Sequence, residues 1–104
     1  MMTGGDDVVH RLRSRTVSDF QIDFDGATVW VNAPDGSCVG RFSRFGIDVH
    51  RTVAEQTATG EQCIECTHEC PTPSEWDRFI ELMRTHYTVQ VPAVAKPKFL
   101  ETAA

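Results

Sequence analysis

No run of apolar residues in this sequence approaches the roughly 20 needed to cross a bilayer. The first twenty residues also hold no apolar block of signal-peptide length, so the expectation is a cytoplasmic chain with no membrane partner. Basic residues are in deficit: ten Lys and Arg against fifteen Asp and Glu leave a formal net charge of −5. Nucleic-acid affinity rests largely on Lys and Arg displacing counterions from phosphates, so the balance argues against a nucleic-acid partner and favours a protein. His10, Arg11, Arg13 and Arg15 are a local exception. They make residues 1–15 a basic N-terminal arm, expected to be mobile and solvated. Also missing are a phosphate-binding glycine loop, a Ser nucleophile elbow and a paired-carboxylate signature. No catalytic residue is assigned, and a binding or regulatory module is expected ahead of an enzyme.

What is present suits one folded domain. A chain of 104 residues can bury roughly 60 to 70% of the surface exposed when unfolded. With 40% hydrophobic and 24% charged residues, it is too apolar to be disordered throughout. The expected domain spans residues 16–91, with 92–104 as a loosely ordered tail.

Strands announce themselves by alternation. Phe20, Ile22 and Phe24 alternate with polar residues, Asp25-Gly26 reads as a two-residue hairpin turn, and Val29 and Val31 resume the pattern. That turn pairs Phe24 with Ala27, Ile22 with Val29 and Phe20 with Val31, placing every apolar side chain on one face. A second turn at Asp35-Gly36 pairs Ala33 with Cys38, Val31 with Gly40 and Val29 with Phe42. Cys38 thereby becomes a small core residue. On the opposite face Trp30 meets Arg41, a cation–π pair; Trp30 there either packs under the loop of residues 45–70 or, with Arg41, marks a candidate binding surface. Phe45, Ile47 and Val49 extend the alternation into a fourth strand after a bulge or bend at 43–46. Residues 52–62 read equally as helix or loop.

The last element is a helix. Thr72-Pro73-Ser74-Glu75 combines an N-cap, a proline at the first helical position and a capping-box glutamate. Trp76, Phe79, Ile80, Met83 and Tyr87 then recur at helical spacing as a stripe to cover the sheet, and residues 88–91 read as a short strand. The predicted fold is α+β: a three- to four-stranded antiparallel meander, a C-terminal helix on one face, and a Cys/His-rich loop before the helix.

That loop carries the chemistry. Cys63, Cys66, His68 and Cys70 place four soft or borderline metal ligands within eight residues. Cysteines of a cytoplasmic chain are expected to be reduced, which favours metal over disulfide. Zinc is the expected ion, yet structural zinc sites usually join two separated ligand pairs, and here a second pair is absent. His50 is the first outside candidate, being on the non-core side of its strand; His86 is a weaker one. Other readings stand beside zinc. The run from Cys66 to Pro71 echoes the end of an iron–sulfur motif but is short of cysteines. A c-type haem needs His directly after Cys-x-x-Cys, where Thr67 stands instead. Cys63 and Cys66 could cycle as a thiol redox pair, or the thiols could be unliganded in a polar loop. Asp48 and His50, two apart on a strand, share a face and suggest metal-assisted hydrolysis, weighed against a plain surface pair.

Overall fold

The computed structural model describes residues 20–101 together with the backbone of residues 10–13. Among the described residues six strands form one antiparallel sheet in sequence order: β1 (His10–Arg13), β2 (Gln21–Phe24), β3 (Val29–Asn32), β4 (Cys38–Ser43), β5 (Gly46–His50) and β6 (Cys63–Cys66). A short helix, α1 (Val53–Thr59), links β5 to β6, and α2 (Pro73–Tyr87) packs on one sheet face. The α+β meander with a covering C-terminal helix is therefore as expected, with two further strands. One of these, β1, lies within the stretch read as a mobile arm and pairs with β2 through Arg11 opposite Asp23. The other, β6, turns half of the expected Cys/His loop into an edge strand.

The core follows from alternation. Ile22, Phe24, Val29, Val31, Phe42, Ile47 and Val49 are buried beneath the Trp76, Phe79, Met83 and Tyr87 stripe of α2. Leu82 is buried with them, whereas Ile80 is only partly covered. Phe42 sits at the centre, edge-on to Trp76 with ring centroids 5.0 Å apart and 5.5 Å from Phe79. Gly40 lets the helix come this close: a methyl group at that position would lie 2.9 Å from the end of Met83.

Register differs from expectation at both of the first turns. In the first hairpin Phe24 opposes Val29 and Ile22 opposes Val31, two residues away from the predicted pairing. Gly26, not Asp25, adopts the positive φ of +93°. The Asp25 carboxylate instead accepts hydrogen bonds from the amides of Ala27 and Thr28 at 2.9 and 2.8 Å. A slip of two preserves which face each side chain occupies, so the core survives the change. In the second hairpin Val29 opposes Phe42, Trp30 opposes Arg41 and Val31 opposes Gly40 as predicted, but Asn32 opposes Cys38. Val39 is the extra residue of a bulge. One added residue reverses the alternation beyond it, so Cys38 is exposed and Val39 buried.

The β4–β5 connection is a tight hairpin closed by Ser43 opposite Gly46. Phe45, expected inside, stands in its loop and is 82% exposed. Residues 52–62 resolve into α1 because Thr52 and Glu55 make a reciprocal capping box and Gly60, at φ +79°, ends the helix. Residues 88–91 are not a strand. Thr88 caps α2 at φ 56°, and Val89 and Val91 enter the core. The predicted loose tail also docks: Ala95, Pro97 and Leu100 are buried, and the Lys98 amide donates to the Gly26 carbonyl at 2.8 Å.

Candidate metal centre

Two cysteines three apart on a regular strand point to opposite faces. On β6 they do not, because Asp48 opposes Cys66 and Val49 opposes Glu65, but His50 opposes Cys63. Ile64 is thus an extra residue, and this bulge brings Cys63 round to the face that carries Cys66, Asp48 and His50. One ligand atom from each of His50, Cys63 and Cys66 then lies within 4.8 Å of the others. A tetrahedral ion held by two sulfurs and one imidazole nitrogen at about 2.0 to 2.3 Å would place its donors roughly 3.5 to 3.8 Å apart. The three donors thus lie close enough that, with both thiols reduced, they could share one metal ion.

The two sulfurs are joined in a disulfide, with their Cα atoms 6.5 Å apart. This corrects the expectation of four reduced thiols. Cys38 and Cys70 are free. The Cys38 thiol faces the carbonyl of Gly40 at 3.4 Å; although the residue is exposed, partial desolvation of its sulfur pushes its pKa up.

His68 and Cys70 do not join the group. After Cys66 the chain continues to pair with β5: the Thr67 amide donates to Ile47 O at 2.8 Å, and the Ile47 amide donates to the Thr67 hydroxyl at 3.1 Å. Thr67 crosses directly over Gly46, where an added methyl would come within 2.1 Å of the Thr67 carbonyl oxygen. That crossing carries His68 past the end of the sheet, and buried Pro71 then leads into α2. His86, the weaker outside candidate, is exposed on α2 and also stands apart. Of the five predicted ligands, the structure gathers His50, Cys63 and Cys66.

Other elements hold these three in place. The Tyr87 hydroxyl of α2 donates to the backbone carbonyl of His50, and burial pushes its pKa up to about 12. The Arg51 amide donates to Gln62 O at 2.8 Å, continuing the β5–β6 pairing. Arg78 of α2 grips the Glu65 carboxylate at 2.7 Å from the far side of the sheet. The sequence places Tyr87 in the core stripe but does not reveal its hydroxyl's bond to His50 or the Ile64 bulge. The one available signal was parity: Cys-x-x-Cys on a strand shares a face only if a residue is added between.

Asp48 is committed elsewhere, its carboxylate accepting from the Arg41 guanidinium. Trp30 is half-buried and opposite Arg41 as the register predicted, but the expected cation–π pair does not form, because the Arg41 guanidinium is drawn to Asp48; among the described residues the cation–π contact is Arg44 over Phe99 at 5.2 Å. Trp30, Arg41, Asp48 and Cys66 occupy successive register positions across β3 to β6 and form one row on the face away from α2. Among the described residues, no helix is long and apolar enough to cross a membrane. No protein-family model, no curated protein and no solved structure matches this chain.

Proposed function

We propose that this chain is a small metal-stabilised binding or regulatory module, in which Zn²⁺ held by His50 and the thiolates of Cys63 and Cys66 clamps edge strand β6 to β5. The observation that carries the reading is the convergence of those three donors within 4.8 Å. Two thiolates and one imidazole make a set of the softness zinc favours. Zinc of this kind stabilises a fold because an assembled site exists only in the native state. An ion there would tie the connection through α1 to the strand it leaves, across the 12 residues from Arg51 to Gln62 that contribute no residue to the buried core.

The occupied site needs reduced thiols, which suits the cytoplasm. A protein partner fits better than nucleic acid, given the net charge of −5. The row from Trp30 and Arg41 toward Cys66 is the surface such a partner would meet. Untagged protein purified under reducing conditions should contain one equivalent of zinc by elemental analysis and lose thermal stability on chelation. Metal-free protein of unchanged stability would overturn the reading.

The disulfide favours a second reading, a thiol oxidoreductase using the same pair. It requires that the pair open and close under mild oxidation while Cys63→Ser keeps its fold. If glutathione disulfide forms no Cys63–Cys66 bond, that reading falls. A metal-assisted hydrolase using Asp48 and His50 has less support, since Asp48 is bound by Arg41.

A further inference from the structure

The candidate ligands and the disulfide use the same two sulfur atoms. A metal needs them as thiolates, and a sulfur in a disulfide has no thiolate charge to offer. The two states therefore exclude each other. Interchange asks little of the backbone: the Cα separation of 6.5 Å lies inside the range of ordinary disulfides. The sulfurs need only move from bonding distance, about 2.0 Å, to the roughly 3.8 Å set by a shared ion. Access is open as well, since Cys63 is exposed on the edge strand of the sheet. Neither remaining cysteine has its thiol in the donor group.

We propose that Cys63 and Cys66 form a redox-gated metal site, which holds Zn²⁺ as a dithiolate with His50 and expels it on oxidation by a low-molecular-weight disulfide. This deepens the zinc reading and rests on it. One thiolate attacks a sulfur of the oxidant, RSSR, forming a mixed disulfide and releasing RS⁻. The second thiolate attacks the protein sulfur of that mixed disulfide, closing the Cys63–Cys66 bond and releasing another RS⁻. Two electrons pass from the cysteine pair to RSSR, and the two leaving thiolates take up two protons. The sum is zinc dithiolate plus RSSR plus two H⁺ giving protein disulfide, two RSH and Zn²⁺. His50, left as the sole ligand, cannot retain the ion. Oxidation thus removes the clamp between β5 and β6 and installs a covalent link within β6 alone.

The test starts from reduced, full-length protein incubated with Zn²⁺ and desalted. Glutathione disulfide is then added without oxygen, while a chromophoric indicator reads free zinc and mass spectrometry with peptide mapping locates the disulfide. One zinc should appear per Cys63–Cys66 bond formed, and dithiothreitol should restore binding. Cys70→Ser should behave like the parent, and Cys63→Ser should yield no mapped disulfide. Zinc retained in disulfide-bonded protein overturns the proposal, as does release accompanied by a Cys66–Cys70 bond, or zinc-loaded protein that resists oxidation while the zinc-free form oxidises. Failure of the zinc reading itself is separately visible: the reduced protein would then emerge from desalting without metal, and the gate would fall with it.

Discussion

Replacing Gly46 with alanine probes how the segment carrying the candidate ligands is held to the sheet. The added methyl would lie 2.1 Å from the Thr67 carbonyl oxygen and 2.9 Å from its carbon, both backbone atoms that cannot swing aside. Gly46 also has φ of +139°, a conformation that strains any other residue, at a cost of about 1 to 3 kcal/mol. Relieving the clash means parting Thr67 from β5. That breaks the hydrogen bond from the Thr67 N–H to the Ile47 carbonyl and the one from the Ile47 N–H to the Thr67 hydroxyl, about 1 kcal/mol each. The sum is about 3 to 5 kcal/mol. With an m-value of about 1.5 kcal/mol per molar urea, the unfolding midpoint should fall by roughly 2 to 3 M. Gly26→Ala is the matched control: it too has positive φ, +93°, but its methyl would meet nothing within 4 Å. It should lose only the conformational part, about 1 to 2 kcal/mol. Equilibrium urea unfolding of reduced, zinc-free protein, followed by tryptophan fluorescence, measures both. A Gly46→Ala shift no larger than that of Gly26→Ala would refute the crossing of Thr67 over Gly46 as the source of the constraint.

Four further outcomes are expected. His50→Ala should weaken zinc binding by more than the roughly 10- to 100-fold that loss of a supporting partner costs, while His68→Ala and Cys70→Ser leave it unchanged; competition with a chelator ranks all three. Phe42→Ala, at the aromatic centre of the core, should cost about 3 to 5 kcal/mol in the same urea assay. Gly40→Ala should cost about 1 to 3 kcal/mol by crowding Met83, and the cost should shrink in a Met83→Ala background, a coupling read by a double-mutant cycle. Tyr87 has its pKa raised from 10.0 to about 12, first by burial and then by the charge of Glu55. Its protonated form is thus favoured by folding. That stability is complete below pH 10 and is lost as pH rises toward 12, and Tyr87→Phe should flatten the decline in unfolding free energy across this window.

The sheet was legible because alternation is a local property. Ile22, Val29, Val31, Phe42, Ile47 and Val49 all took the predicted face, even though the first hairpin slipped by two residues. The helix was legible because Thr72, Pro73 and Glu75 mark its start and the stripe from Trp76 to Tyr87 marks its buried side. Cys38 was misplaced because the bulge at Val39 reverses the alternation; the one local sign is the adjacent Gly40, a residue that often marks a bulge within a strand. Phe45 was misplaced for a related reason: it continues an apolar alternation, but the turn closes one residue later, at Gly46. The tail from Pro92 onward lacks periodicity, and its burial comes from docking near the β2–β3 turn.

By itself, then, the sequence determined the α+β class, the sheet's apolar face and the capped helix, since each depends on residue spacing along a few consecutive positions. It also confined the candidate metal ligands to a short segment and offered His50 as the first outside candidate. Which donors meet was decided only in three dimensions. The Ile64 bulge turns Cys63 and Cys66 to one face, and the register of β6 on β5 brings His50 to them. The crossing of Thr67 over Gly46 carries His68 and Cys70 away. Each of these is a one-residue choice in strand pairing, settled by contacts between segments far apart in the chain, and an odd residue in a strand leaves no mark on the composition around it.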